Sequence, residues 1–273
     1  MTVLARALEP GYDGAVKIAG VHEKATAFEG AARVYEHARP GYPPEVVRWL
    51  TEALALGPER RVVDLAAGTG KLTRDLVASG AQVIAVEPVG DMRRTLAATT
   101  PAAAGGPAVS VVAAVAQALP VGDGLLDAVT VAQGFHWFAT VKAVTELHRV
   151  IRPGGRLGLI WNHRDVSDPL QAALTDVMEP LRGDTPSYDT GAWRRAVEPG
   201  DLFTSEQELH VSWRQPVDVD GVADRVASVS FIAALPAGDR SRVLDRIRAL
   251  ASEMPPPLTL AYTADAFVFT RVA

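Results

Sequence analysis

The amino-acid sequence predicts an α/β fold: a doubly wound, mostly parallel sheet of seven strands carrying a helical cap. Three observations lead there. Five short runs between residues 61 and 162 are apolar throughout and alternate with helical patterns, as strands buried on both faces of a parallel sheet do. The first run, in VVDLAAGTGKLT at residues 62–73, ends in an acid, breaks into a glycine loop and resumes as a helix. After residue 163 the alternation gives way to three helical patterns and two strand-like segments, which complete the sheet and cap it.

Taken in order, residues 1–27 show weak periodicity and read as an irregular arm. A helical pattern over 28–39 is ended by Pro40-Gly41. Pro43 and Pro44 then open a helix with Val46, Val47, Leu50 and Leu54 on one face. RVVDLA is a first strand, residues 71–79 a helix stopped at Gly80, and AQVIAVEP a second strand ending in Glu87-Pro88. DMRRTLAATT is a helix that Asp91 caps or begins. The low-complexity stretch 99–108 reads as a surface loop before a third strand, AVSVVAAV. LLDAVTVAQG is the fourth strand; ATVKAVTELHRVI is a helix stopped by Pro153-Gly154-Gly155; RLGLIWN is the fifth strand. Beyond it, SDPLQAALTDVMEPL, VDGVADRVASVSFIAAL and DRSRVLDRIRAL each read as one helix. In the last of them Val243, Leu244, Ile247, Leu250 and Ala251 form an apolar stripe. ELHVSWRQPV and LTLAYTADAFVFTRV are the late strands. The chain thus divides into the arm 1–27, a core 28–165, and a helical cap with late strands at 166–273. Right-handed crossovers place ligands at the carboxyl ends of the strands.

Composition narrows the functional classes. The 273 residues are 48% apolar, enough for a full core. Lys and Arg number 27 against 32 Asp and Glu, so no basic excess is available to hold a nucleic acid. Cysteine is absent, which excludes thiolate metal sites and a cysteine nucleophile. No apolar run approaches the roughly 18 residues that span a membrane, and the first residues do not read as a signal peptide. A soluble cytoplasmic protein acting on a small molecule is the expectation, with no metal, nucleic-acid or membrane partner; oligomeric state is not legible.

The glycine loop decides among small-molecule classes. Gly68 and Gly70 match the start of a dinucleotide fingerprint, but Thr73 occupies the third glycine position. Glu87 ends the next strand, on the order of 20 residues on, where a carboxylate accepts hydrogen bonds from ribose hydroxyls. Asp64, directly before the loop, would repel a pyrophosphate and suits a ligand with an ammonium group. A nucleoside with an amino-acid tail satisfies both acids. The plainer alternative is that Asp64 is a cap and the glycines only make a turn.

VVDLAAGTGKLT, VIAVEP, AVAQALPVGDGLLDAV and HRVIRPGGRLGLI together resemble the successive motifs of class I S-adenosylmethionine-dependent methyltransferases. AARVYEHARPGYP and AQGFHWF narrow the likeness to the trans-aconitate-type and ubiquinone-pathway-type small-molecule branch. The likeness runs from about residue 28 to about 165. It implies a Rossmann-like core binding S-adenosylmethionine and releasing S-adenosylhomocysteine. In that reading Asp64 orients the loop beside the methionine ammonium, and Ala66, Gly68, Thr69 and Gly70 bring backbone close to the cofactor. Glu87 holds the ribose, and Pro88 and Met92 pack near the adenine. Where the family commonly has an acid for the adenine amino group this chain has Val115, so Ala116 and Gln117 take that duty. Tyr35 and Arg39, four apart on one helix face, close over the cofactor, Arg39 pairing with its carboxylate; the alternative is a solvated Arg39. Gln133 lines the methionine pocket.

GFHWF, residues 134–138, follows a strand tip on the face where the sulfonium methyl points. Aromatic faces stabilise cations and exclude water. His136 and Trp137 are the catalytic candidates, whereas Phe135 and Phe138 suit core packing. His163, with Asp165 near it, is a further candidate. Methyl transfer needs chiefly alignment, and a base only if the nucleophile is protonated; His136 has the intrinsic pKa for that duty. Tyr188, Trp193, Trp213 and Phe231 line a pocket or fill the core. Two other readings stay open: cyclisation or elimination on the same fold without methyl transfer, and cofactor binding without catalysis. A nicotinamide oxidoreductase is a more distant one.

Overall fold

The computed structural model describes residues 32–100, 109–198 and 201–272. The arm 1–27, residues 28–31 of the first expected helix, and most of the loop 99–108 lie outside the described residues. In chain order the elements are α1 (Ala32–Ala38), α2 (Pro44–Ala53), β1 (Arg61–Leu65), α3 (Lys71–Ala78), β2 (Gln82–Val86), α4 (Gly90–Thr99), β3 (Ser110–Val112), β4 (Leu126–Ala132), α5 (Val141–Val150), β5 (Ile151–Arg164), α6 (Pro169–Met178), α7 (Arg194–Val197), β6 (Phe203–Pro216), α8 (Val219–Ala227), α9 (Ser230–Ala233), α10 (Ala237–Ser252) and β7 (Thr259–Arg271).

The strands form one seven-stranded sheet in the order β3-β2-β1-β4-β5-β7-β6. β1 pairs in parallel with β2 and β4, β2 with β3, and β4 with β5, while β7 runs antiparallel between β5 and β6. This is the doubly wound, mostly parallel sheet that the alternating pattern predicts. The winding direction reverses between β1 and β4, and there a crevice opens at the carboxyl ends.

Side-chain alternation builds a core on each face. Val63 and Leu65 of β1, Val129 and Val131 of β4, and Phe267 and Phe269 of β7 share one cluster with α5. Val62, Ala128, Ile160, Ala266 and Val268 share the other with α2 and α3. Gly158 lets α2 lie close, since a Cβ there would stand 3.0 Å from Leu54 Cδ1 and 3.1 Å from Leu50 Cδ1. The cap has its own apolar cluster, in which Leu174, Val222, Ile232, Ile247 and Ala251 pack on Leu260 and Tyr262 of β7. Among the described residues no helix is long and apolar enough to cross a membrane.

Three local expectations need correction. Helix α5 ends at Val150, ahead of Pro153-Gly154-Gly155, and these three residues lie within β5. They form an irregularity where Leu126 pairs with Ile151 but Ala128 with Arg156. Gly154 has φ +69°, and a Cβ on Gly155 would meet Asp127 O at 2.8 Å, so glycine is required. The segment 219–235 is two helices, not one: Ser228 turns its hydroxyl onto Arg225 O and breaks the run. Asp91 does not cap α4, which is preceded by Val89; it sits in the first turn and pairs with Arg94.

Gly70, which precedes α3, has φ +87°, and a Cβ there would stand 2.9 Å from Leu96 Cγ and 3.1 Å from Thr100 Oγ1 on and just after α4. Gly57 has open space around it and no such backbone strain. Urea unfolding should therefore show Gly70→Ala losing about 1–3 kcal/mol and Gly57→Ala changing by less than about 0.5 kcal/mol. Equal stability of the two variants would refute the packing role given to Gly70.

Candidate active site

At the carboxyl ends of β1, β2, β4 and β5, under the cap, lies a cavity of about 750 Å³. Ligand sites commonly run to about 300–1,000 Å³. Its floor is two strained strand tips. Ala66 after β1 has φ +55° and Gln133 after β4 has φ +60°, a region L-residues avoid. The tips touch, since a Cβ on Gly134 would lie 3.0 Å from Ala66 Cβ. Gln133 is fixed by its Nε2, which donates to Asn162 O at 3.0 Å.

The loop after β1 separates the residues assigned to it. Gly68 has φ +58°, lines the cavity, and would direct a Cβ into open space, so its backbone is accessible to a ligand. Gly70 does not line the cavity, and its φ and its contact with Leu96 give it a packing role. Thr69 is buried beside a small adjoining pocket, and its hydroxyl has no partner. Asp64 stands where it can orient the loop. It is fully buried beneath the loop and not in the cavity wall, with its carboxylate closed by Thr73 Oγ1 at 2.5 Å and Thr130 Oγ1 at 3.2 Å. Burial pushes its pKa to about 7, against those two hydroxyl bonds.

Glu87 is 5% exposed and lines the cavity. One oxygen accepts from Gly68 N at 2.9 Å and the other from Val89 N at 2.8 Å. Each retains a lone pair for a ligand hydroxyl. Burial raises this carboxyl above its ordinary value, and the two backbone bonds oppose the rise. Arg93 ties down the strand tip by donating to Glu87 O and Pro88 O. Pro88 and Met92 line the same end. A turn between Val115 and Ala118 presents Ala116 and Gln117 there, with Gln117 Oε1 buried and unpartnered.

Helix α1 closes the opposite wall. Glu36 accepts from Lys71 through its carbonyl at 2.7 Å and pairs with Arg74 at 2.8 Å, which fastens α1 to α3. Tyr35 and Arg39 both line the cavity, the guanidinium 5.0 Å from the Tyr35 ring. Arg39 is not a solvated surface group: it donates to Ser228 Oγ at 3.0 Å and Ser228 O at 2.9 Å, and burial lowers its pKa to about 10.

In GFHWF, Phe135 is core, while Phe138 packs edge-on to it and reaches the cavity wall beside Trp137. His136 also lines the cavity, but Trp161 Nε1 donates to its Nδ1 at 3.2 Å. An indole nitrogen only donates, so the neutral ring carries its proton on Nε2. Burial lowers its pKa to about 4. His136 is therefore presented as a hydrogen-bond donor, and with its acceptor nitrogen engaged by Trp161 this arrangement speaks against the expected general base.

His163 lines the cavity and donates from Nε2 to Asp265 Oδ2 at 3.0 Å. That bond raises its pKa. Asp265 is 4% exposed and also accepts from Tyr188 OH and, at 2.6 Å, from His210 Nδ1. Burial would raise this carboxyl, but the three bonds outweigh it and hold it at about 2. Asp165, the expected neighbour of His163, instead accepts from Ser167 in a turn at the rim. Asp265, His210, Arg164 and Arg225 were missed. An acid inside the otherwise apolar strand AYTADAFVF was the available signal for Asp265. Tyr188 and Phe231 line the cavity, whereas Trp193 is core, its ring tilted against Trp161, and Trp213 donates to Asn162.

Comparison with known proteins places this geometry. Residues 63–159 match the methyltransferase domain family. A Mycobacterium tuberculosis protein described as an uncharacterized methyltransferase is 39% identical over 229 residues, covering 84% of this chain and 87% of that one. A demethylmenaquinone methyltransferase of Thermus thermophilus is 34% identical, covering 71% of this chain and 90% of its own. A solved structure from Anaeromyxobacter dehalogenans, assigned as a type II methyltransferase, shares the fold with a TM-score of 0.58 at 23% identity, covering 85% of this chain and 97% of that one. With a clasped acid, an open glycine and a full-length likeness of this kind, the chain belongs to the class I S-adenosylmethionine-dependent methyltransferases and is an enzyme of that family.

Proposed function

We propose that this methyltransferase takes its methyl group from S-adenosylmethionine and transfers it to an O, N or C atom of a small molecule held beneath the cap. The observation that carries the reading is Glu87, buried at the cavity wall with Gly68 N and Val89 N on its two oxygens. The residues present fit such a donor. Gly68 leaves open space where any side chain would intrude, and Gln117 Oε1 is an unpartnered acceptor at the same end as Glu87. When bound, the donor supplies an electrophilic methyl group on a sulfonium that leaves as a neutral thioether.

The rest is the work of this chain. Glu87 accepts from ribose hydroxyls, and Gln117 from the adenine amino group. Arg39, aimed into the cavity by Ser228, meets the amino-acid carboxylate. Trp137, Phe138 and Tyr188 exclude water and align the acceptor against the methyl, and such alignment is worth up to about 7–11 kcal/mol. His136 offers its Nε2 proton to the acceptor and orients it. His163, held by Asp265, keeps its own proton further up the pH scale. His136 has its acceptor nitrogen engaged, whereas His163, oriented by Asp265, is the better placed imidazole for an acceptor that must lose a proton.

S-Adenosylhomocysteine should bind the wild-type chain in calorimetry. Glu87→Gln and Gly68→Ala should each weaken it about tenfold or more, the scale of a lost charged hydrogen bond. No binding to wild type, or unchanged affinity in Glu87→Gln, would sink the donor assignment. Mass spectrometry of products from a small-molecule panel should show a gain of one CH2, which cyclisation or elimination would not give.

The two imidazoles should titrate in opposite directions by NMR. His136 should stay neutral with its proton on Nε2 down to a midpoint of about 4, and His163 should titrate above its ordinary 6.5. The unfolded chain binds more protons at His136 than the folded one between about 4 and 6.5. Its burial therefore makes stability rise with pH across that window, and His136→Asn should flatten the slope. A His136 midpoint above 6 would restore the base.

A further inference from the structure

Four guanidinium groups line the cavity, and they differ in what they touch. Arg182 forms a two-point pair with Glu179, at 2.8 and 2.7 Å. The other three hydrogen-bond only to neutral groups among the described residues, although Asp189 and Glu179 act on Arg164 through space. Arg39 donates to Ser228, Arg164 reaches Met178 Sδ at 3.6 Å, and Arg225 donates to Tyr262 OH at 3.0 Å. Arg225 is 9% exposed. The acids of the same wall are engaged elsewhere: Glu87 by backbone N–H groups, Asp165 by Ser167, Glu179 by Arg182 and Asp189 by Ser187. Burial and mutual repulsion lower Arg39 and Arg164, each to about 10. A buried charge without a counter-ion is costly, and proteins that keep one usually present it to a ligand.

One donor carboxylate occupies Arg39, which leaves Arg164 and Arg225. Beside them the wall is apolar and aromatic, with Trp137, Phe138, Tyr188 and Phe231. We infer that the acceptor is an amphipathic anion, with an apolar or aromatic body lying among these rings and a carboxylate or phosphate docked on Arg164 and Arg225. The inference rests on the methyl-transfer reading above and adds the substrate class. Arg164 ends β5 and Arg225 lies on α8, so one anion bridges sheet and cap. Guanidinium forks suit the planar carboxylate and the phosphate equally.

The test is calorimetry on the full chain, with and without saturating S-adenosylhomocysteine, against phenylacetate, phenyl phosphate and the neutral phenylacetamide. At least one anion should bind about tenfold tighter than the amide, and which one does so separates carboxylate from phosphate. Arg164→Gln and Arg225→Gln should each lose that preference about tenfold while binding S-adenosylhomocysteine within about twofold of wild type. Arg164→Lys should recover part of it. Both Gln variants should fold, since neither guanidinium hydrogen-bonds a carboxylate among the described residues. Equal binding of the three probes to wild type, no binding of any, or a preference that survives both Gln substitutions would overturn the inference. Anion preference without S-adenosylhomocysteine binding would instead fault the donor assignment and leave the anion site standing.

Discussion

The carboxylate of Glu87 is the hinge pin of this enzyme. Through Gly68 N and Val89 N it joins the loop after β1 to the start of α4, so the tips of two neighbouring strands are held by one side chain. A carboxylate that is 5% exposed would ordinarily be expelled or protonated. Here the backbone donors compensate much of its desolvation, and the remaining lone pairs face the cavity. The left-handed Gly68 follows from this. Its N–H must turn inward to Glu87 while its α-carbon leaves room for a ligand, and only a residue without Cβ does both at φ +58°. Binding and folding thus draw on the same few atoms.

The cavity shows how burial sorts chemically identical groups into different duties. His136 and His163 stand in one wall. The first is buried, with an indole N–H on its acceptor nitrogen, and burial lowers its basicity; the second has a carboxylate on its donor nitrogen and gains basicity. Asp64 and Asp265 diverge in the same way. Asp64, bonded only to two hydroxyls, is pushed to about 7, whereas Asp265, taking bonds from two imidazoles and a phenol, is held at about 2. Burial sets the direction for His136 and Asp64, and the bonded partners set it for His163 and Asp265.

That contrast marks how far the sequence could be read. The apolar runs of β1, β2, β4 and β5 announce themselves because both faces are covered, and the residues on their tips come with them. Gly68 and Glu87 were therefore legible from local pattern, whereas Gln117 and Gln133 came from the family resemblance. Gly70 carries the same letter as Gly68 but packs on Leu96, a contact between helices that no spacing within the motif reveals. The partners of His136 and His163 come from β5 and β7, and the Asp265 contact is set by the antiparallel register that places Asp265 opposite Trp161 and His210. The break after α8 reads as continuous helix in sequence. It exists because Ser228 gives its hydroxyl to Arg225 O and its carbonyl to Arg39, which lies 189 residues away.

The same distant contact explains why the cavity is enclosed at all. Among the described residues helix α1 buries Ala32 and Ala38. An apolar contact of Ala32 and Tyr35 with Val89 and Met92 seats it beside α4, and polar bonds toward its C-terminal end fasten it further. Glu36 binds it to the core through Lys71 and Arg74, and Arg39 binds it to the cap through Ser228. Arg39 is therefore both the strap across the cavity and a charge exposed to whatever fills it. Its bonds to Ser228 satisfy geometry but leave its charge uncompensated. An anion beneath it would stabilise the strap and the ligand together, and the closure of this site is then coupled to its occupancy by electrostatics alone, with no need for a second conformation of the sheet.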